Sequence, residues 1–284
     1  MSKLLHASFR RLWKNKNFWF CMIFMAAMGI ITPIIEQINV TQWNKIMPEY
    51  SFSVILEEPF FNCCPYIGVV AAVFVSLFMG IEYSDGTMRN KILVGHSRIS
   101  VYLSNLSVCI VGGIALCLAY MILAGMIGAS LFGFFETDIR IILLNIMDIF
   151  AMIAAFSALF TFVSMMNKNR ALTAVICILG AVIFLFMGAW LQSTLQEPEM
   201  WPEDTFLDDN GDIVVIPAEP NPNYLVGTER EVCEFLYDYL PGGQALQLNY
   251  LESQHPWRLG MYSIVIVIAS AGVGVVFFKR KDLN

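Results

Sequence analysis

A short polar segment between two long apolar runs holds the side chains best suited to ionic chemistry. Residues 80–102 read GIEYSDGTMRNKILVGHSRISVY. Its charged and titratable members are Glu82, Asp85, Arg89, Lys91, His96 and Arg98. Such side chains form ion pairs and charged hydrogen bonds, either within a chain or with a partner protein. An ordinary solvated loop is the alternative interpretation of the same spacing.

The small residues of this segment predict where a helix begins and ends. Gly86 can adopt the left-handed conformation that stops one helix, and Thr87 can cap the next. Gly95 can end that helix in turn. Ser97 or Ser100 can then cap the helix that follows.

The predicted helix, residues 88–94, is about two turns long. Met88 and Ile92 are four residues apart and share one face, with Leu93 beside them. We therefore expect a small basic helix between two membrane spans, with an apolar edge available to a partner.

A second candidate lies inside a predicted membrane helix, where charge is rare. Asp148 is the one ionisable residue placed clearly within a span, one turn after Asn145. A carboxylate at the bilayer centre costs on the order of 2.5–3.5 kcal/mol by insertion scales, so it needs a partner, a cavity or a proton. The two residues could line a substrate path; a shallow acid hydrated from outside is the alternative.

Motifs for catalysis or metal binding are missing from the sequence. It has no GxxxxGK[ST] phosphate loop and no HExxH zinc motif, so we expect neither an ATPase site nor a catalytic residue of its own. All three histidines lie outside the predicted spans: His6, His96 and His255. The seven cysteines lack zinc-ligand spacing, and we predict no metal and no cofactor. A disulfide from Cys233 to Cys63 or Cys64 stays open, with reduced thiols as the alternative.

Composition indicates a membrane protein. The 284 residues are 57% hydrophobic and only 14% charged, whereas soluble domains contain about 25% charged residues. Six apolar runs can each cross a hydrocarbon core of about 30 Å: 18–38, 62–81, 101–135, 141–166, 171–191 and 259–278. The fold class expected is an all-α integral membrane protein with six transmembrane helices.

The third span is unusually long. At 1.5 Å per residue it would measure about 50 Å, so it must tilt, protrude or break. Its glycines are the places for a break or for the close approach of another helix: Gly112, Gly113, Gly125, Gly128 and Gly133.

Charge sets the expected orientation. With six spans, 13 of the 17 Lys and Arg fall on one side, whereas residues 192–257 hold 13 acidic residues and one basic residue. The positive-inside rule then places both termini in the cytoplasm. The predicted regions are a cytoplasmic interfacial helix (1–17), transmembrane helices 1–5 (18–192) with a cytoplasmic loop at 82–100, an extracellular segment (193–257), and a sixth transmembrane helix with a basic tail (258–284).

The N-terminal residues 1–17 carry five basic residues and no acidic one, interleaved with apolar residues at helical spacing. This pattern suits a helix lying on an anionic leaflet. A signal peptide is the alternative, but the apolar run that follows is long and lacks a small-residue cleavage site.

The acidic segment contains two local patterns. Residues 206–216 predict a hairpin with Asn-Gly at its tip; its acidic cluster lacks the 12-residue spacing of a calcium loop. Residues 229–252 predict a helix interrupted at 241–243. Its apolar stripe would lie against the outer membrane interface or cap the bundle: Val232, Phe235, Leu236 and Tyr239.

The polar segment resembles the first cytoplasmic loop of bacterial ABC (ATP-binding-cassette) transporter permeases of the type-2 exporter family. The resemblance rests on Glu82-Tyr83, Gly86-Thr87, Arg89, Lys91, Ser97-Arg98 and Tyr102, and the six-span layout extends it over most of the chain. In that family the loop carries the coupling helix, which docks on a separate ATPase subunit. The polypeptide before the last span often forms short helices that dip back into the membrane.

The resemblance implies a permease subunit of an ATP-driven exporter in the bacterial plasma membrane. ATP would be bound by the partner ATPase, and a second permease chain, identical or not, would pack along the bundle, often through the first and fifth spans. Glu82 and Arg89 would serve docking or loop geometry, and Met88, Ile92 and Leu93 the contact itself. The full set implied for coupling is Glu82, Gly86, Thr87, Met88, Arg89, Lys91, Ile92 and Leu93.

A nearly uncharged pathway suits an amphipathic, lipid-like or peptide substrate, and members of the family often serve antimicrobial-peptide export or resistance. Two alternatives remain. One is a non-transporting membrane sensor or scaffold that acts through the acidic extracellular segment. The other is a secondary transporter, which one intramembrane acid supports only weakly.

Overall fold

The computed structural model describes residues 2–167, 169–207, 213–251, 253 and 255–280. Its helices are α1 (Ser2–Lys14), α2 (Lys16–Ile46), α3 (Glu57–Phe61), α4 (Cys64–Ser84), α5 (Thr87–Leu93), α6 (Arg98–Phe132), α7 (Ile139–Met166), α8 (Arg170–Leu195), α9 (Thr228–Tyr239), α10 (Pro241–Tyr250) and α11 (Pro256–Arg280). The strands are β1 (Met200–Trp201), β2 (Asp204–Leu207), β3 (Ile213–Ile216) and β4 (Glu219–Pro220).

Six of these segments are long and apolar enough to cross a membrane: α2, α3 with α4, α6, α7, α8 and α11. The six predicted spans are therefore confirmed, and the protein is an all-α, multi-pass membrane protein. α4 is central, because it packs against both α7 and α8, while α2 packs on α6 and α11 on α7.

The first two spans are longer than their apolar cores predict. α2 continues to Ile46. Glu36, which already lies inside the predicted span 18–38, is part of this helix, so Asp148 is not the only ionisable residue within a span. The second membrane segment begins at Glu57, before the predicted span 62–81. Glu57 is instead buried, and its Oε1 accepts hydrogen bonds from the backbone amides of Glu136 (2.8 Å) and Thr137 (2.7 Å).

The long helix α6 does not break at its glycines. It runs continuously from Arg98 to Phe132 and ends before Gly133, which has φ 93°. Gly112 and Gly113 allow close packing instead: an added Cβ would lie 2.5 Å from the Phe74 ring at Gly112 and 2.8 Å from Ile153 at Gly113. These glycines therefore allow neighbouring helices to approach closely, which was the second of the two expectations for them.

α1 is a helix, as predicted, but one of its faces lies on the bundle. Leu4, Ser8 and Leu12, at successive turns, are buried, and α1 packs against α6. Trp13 stays 58% exposed. Placement of α1 on an anionic leaflet remains a prediction.

The segment before the last span forms strands and two helices. β2 pairs with β3 and β1 with β4, both antiparallel, which confirms the hairpin strands; the predicted tip and acidic cluster at 208–212 lie outside the described residues. The predicted helical break falls at Leu240, just before Pro241. The predicted apolar stripe lies on α9, where Val232 and Phe235 are about half exposed. The residues of α10 from Pro241 to Leu248 are buried.

α10 reaches into the bundle because glycines meet backbone to backbone. A Cβ added to Gly188 on α8 would lie 2.5 Å from the carbonyl carbon of Gly242. Gln244 is fully buried and accepts a hydrogen bond from Ser263 on α11 at 2.6 Å. α10 is therefore inserted between the spans and does not lie on the surface of the bundle.

The cysteines are all free thiols, which settles the open question of a disulfide. Cys63 and Cys64, at the start of α4, are fully buried within the chain. Cys63 Sγ lies 3.9 Å from Cys117 Sγ, and Cys233 alone is partly exposed.

Candidate functional site

The polar segment forms the short helix α5, positioned by glycine at each end. Gly86 has φ 64° and is the N-cap residue, and Gly95 has φ 98° just beyond the helix. Ser97 caps α6 by accepting a hydrogen bond from the Ser100 amide. Thr87 does not cap α5 as predicted: it is the first helical residue, and its Oγ1 donates to the carbonyl oxygen of Glu82 at 3.1 Å.

The two apolar sides of α5 face different surroundings. Met88 is buried in the core and Ile92 is packed against it, so the predicted contact surface is wrong for Met88, which is covered by its own chain. Leu93 is 73% exposed, and the adjacent Val94 is 78% exposed. Arg89 is also exposed. The exposed side chains of α5 and its C-cap residue therefore include Arg89, Leu93 and Val94.

Glu82 lies at the centre of a buried ionic cluster, whose members are Glu82, Arg11, Lys91 and Asn105. The Glu82 carboxylate is fully buried near the end of α4. It accepts hydrogen bonds from Lys91 Nζ at 2.6 Å, from Asn105 Nδ2 at 2.8 Å and from Arg11 Nη1. The cluster thereby joins four helices, namely α1, α4, α5 and α6.

The cluster gives Glu82 a structural role in place of direct docking. A fully buried carboxylate cannot reach a partner, whereas it can fix the position of α5 through Lys91. Burial lowers the pKa of Lys91, while the Glu82 carboxylate opposes that shift. The Arg11 guanidinium also lies 4.4 Å from the centroid of the Phe78 ring, a cation–π contact that holds α1 against α4.

Sequence reasoning missed Arg11 and Asn105. Arg11 is one of five basic residues within residues 1–17, and nothing in the local sequence distinguishes it from Arg10. Asn105 carries a weak signal: an amide in an otherwise apolar membrane helix needs a polar partner.

A basic cavity of about 350 Å³ lies between α1 and α5, lined by Arg10, Arg11, Lys14, Thr87 and Lys91 among others. The same end of the bundle is tied to α11, because Arg98 Nη1 donates to the carbonyl oxygens of Phe278 (3.2 Å) and Lys279 (3.1 Å). This end therefore gathers the N-terminal helix, the polar segment and the last turn of the chain's final span.

Asn145 and Asp148 lie away from the cluster, on adjacent turns near the start of α7. Both are buried, and Asn145 Nδ2 donates to the Ile141 carbonyl of its own helix at 2.9 Å. Asp148 Oδ1 faces Gly260 in the first turns of α11, where an added Cβ would lie 2.5 Å away. Asp148 Oδ2 is buried without a hydrogen-bond partner among the described residues. The pair is not part of the basic cavity, and its role in a path remains a prediction.

In the described part of the chain, no three His, Cys, Asp or Glu side chains lie close enough together to hold a metal ion. What this end of the bundle offers is a short helix with an exposed apolar tip, fixed to the spans by buried charges. Such an arrangement can receive a mechanical displacement and transmit it.

The comparison with protein families agrees with this arrangement. A family described as ABC-2 family transporter protein matches residues 4–209, which covers α1 to α8 and includes the whole ionic cluster and α5. None of the curated proteins matches the sequence. The match extends over most of the chain, and such proteins are the membrane subunits of ABC transporters that associate with an ABC ATPase. The chain belongs to the ABC-2 family of transporter proteins.

Proposed function

We propose that this permease subunit exports an amphipathic, lipid-like or peptide substrate, driven by a separate ATPase that docks on α5. The observation that carries the proposal is the division of α5 into two faces. Met88 and Lys91 anchor it to the spans, while Leu93 and Val94 are exposed. An exposed apolar pair on a polar segment is a suitable contact for a partner protein.

Coupling would run through the ionic cluster. Lys91 on α5 contacts Glu82 on α4, which also holds Arg11 on α1 and Asn105 on α6. A displacement of α5 by the ATPase would therefore move the ends of α4 and α6 together. Because α4 is the central span, that movement would reach α7 and α8.

The basic residues support a cytoplasmic position for the α5 end. The basic cavity and Arg98 are there, while the acidic segment that contains α9 is at the opposite end, since α8 and α11 each run from one end to the other. The positive-inside rule places the basic end in the cytoplasm, where an ATPase has access to ATP.

A second permease chain would pack on spans that the chain itself leaves largely uncovered. The buried share of the apolar window is 22% for α8, 28% for α11 and 33% for α2, against 67% for the segment containing α4. α8 and α2 are the fifth and first spans, the pair that the family resemblance implies for a dimer, whereas α11 is uncovered to a similar extent. An apolar path between two such chains would favour an amphipathic substrate over a strongly charged solute.

Copurification from native membranes tests the proposal. Leu93→Glu/Val94→Glu should abolish recovery of an ABC ATPase with the permease, because two carboxylates would be buried at the contact. Phe134→Glu is the matched control, since Phe134 is 88% exposed in the loop after α6 and distant from α5. Recovery of the ATPase with the double variant, or of none with the wild type, would exclude docking through α5. Uptake or release by inverted vesicles then fixes the direction of transport.

A further inference from the structure

A second cavity lies at the end of the bundle opposite α5. Its volume is about 550 Å³, and it is enclosed by the last turns of α8, the helices α9 and α10, and the first turns of α11. Because α8 ends there and α11 begins there, the cavity is at the level where membrane spans meet lipid headgroups. Trp257, 59% exposed in the first turn of α11, is the kind of side chain that favours this level.

Both signs of charge line the cavity. The carboxylates are Glu231, Glu234 and Asp238; the guanidinium groups are Arg230 and Arg258, with the imidazole of His255 beside them. A purely anionic ligand would face three carboxylates, and a purely cationic one would face two guanidinium groups. A ligand carrying an ammonium and a phosphate together matches the lining.

Several of these groups are held in position. Arg230 Nε donates to Glu234 Oε1 at 3.0 Å, and its guanidinium lies 5.1 Å from the centroid of the Tyr224 ring. Its Nη1 is buried without a hydrogen-bond acceptor among the described residues, so one donor of a fixed guanidinium is left for a ligand. Asp238 accepts from Gln247 Nε2 at 3.1 Å, and burial raises the pKa of Asp238.

Apolar surface adjoins the charged groups. Leu195, Phe235 and Tyr262 are part of the lining, and Phe235 and Tyr262 pack edge to face with their centroids 5.8 Å apart. Val232, on the same helix, is 51% exposed. Acyl chains could lie along this surface while a headgroup occupies the cavity.

We propose that this cavity binds the headgroup of a zwitterionic phospholipid, with Arg230 and Arg258 toward the phosphate and Glu231 and Asp238 toward the ammonium group. The inference depends on the six membrane spans and not on the direction of transport or on the ATPase. The site would fix the acidic segment, through α9, to the surrounding leaflet.

Native mass spectrometry of the purified chain in detergent tests the site, with added phosphatidylethanolamine, phosphatidylglycerol or dodecylamine. Phosphatidylethanolamine should bind at least about tenfold more tightly than the other two, which each carry one sign of charge. Glu231→Gln and Arg258→Gln should each weaken its binding about tenfold. Glu229→Gln and Arg140→Gln, exposed residues outside the cavity lining, should leave it unchanged.

Two results would overturn the proposal. One is equal binding of phosphatidylethanolamine and phosphatidylglycerol, or no effect of the two cavity variants when their thermal stability equals that of wild type. The other is binding of soluble phosphoethanolamine as tight as that of the whole lipid, which would identify a site for a soluble zwitterion. A cavity variant that unfolds is replaced by Arg258→Lys, which keeps the charge but loses the planar fork and should weaken binding less than Arg258→Gln.

Discussion

Removing the charge of Glu82 is the most direct test of the ionic cluster. Glu82→Gln keeps the size of the side chain and the bond to Asn105, but it leaves Arg11 and Lys91 as two neighbouring cations without a counter-ion. Breaking a buried ion pair by removing one partner costs about 3–5 kcal/mol. Because the side chains of Arg11 and Lys91 are 24% and 15% exposed, water compensates in part, and we expect the lower end, about 3 kcal/mol.

The assay is unfolding in mixed micelles, followed by a thiol-reactive dye. Six of the seven cysteines are buried in the folded chain, so dye uptake reports loss of packing. Glu229→Gln, an exposed glutamate, serves as control. Adding Lys91→Gln to Glu82→Gln should recover stability, because one of the two unpaired cations is then removed. A Glu82→Gln variant within about 0.5 kcal/mol of wild type, or a double variant less stable than the single one, would refute the reasoning.

Three further predictions follow from packing, titration and exposure. Gly188→Ala should destabilise the chain by about 1–3 kcal/mol in the same unfolding assay, because the added methyl group would meet the backbone of Gly242. Gly180→Ala on the same helix is the control: its methyl group would enter open space, so it should be neutral or stabilising. Because the pKa of Asp238 is raised in the folded state, the free energy of unfolding should fall as pH rises from about 4 through that pKa. The free energy of unfolding, measured at a series of pH values, should depend less steeply on pH in Asp238→Asn. An unchanged pH dependence would contradict the raised pKa of Asp238. A membrane-impermeant maleimide should label Cys233 in intact cells and should not label Cys233→Ser; labelling only after lysis would reverse the proposed orientation.

The ends of α5 show which features a few consecutive residues can predict. Gly86 and Gly95 both have the positive φ that their type suggests, and Ser97 caps the next helix. These features depend on a few consecutive residues, so they can be predicted without neighbours. Thr87 shows the limit: its hydroxyl bonds to the preceding helix because of how the chain turns at Gly86.

The side-chain environment of Met88, Glu82 and Glu57 required the whole fold. Helical periodicity puts Met88 and Ile92 on one face with Leu93 beside Ile92, yet it does not say which side of the helix faces the chain's own core. Glu82 and Glu57 appear as loop residues in the sequence because carboxylates are seldom buried. Their partners, Arg11 and the amides after α6, are about 70 to 80 residues away along the chain.

The class, the number of spans and the segregation of charge could be predicted from the sequence, because apolar length and composition are properties of each segment taken alone. The tertiary structure was needed to find which polar groups are joined and which helices are inside: the cluster around Glu82, the insertion of α10 through Gly188 and Gly242, and the burial of Cys63. These depend on contacts between distant segments, and a buried charge or a backbone contact is stable only when the complementary group arrives from elsewhere in the chain.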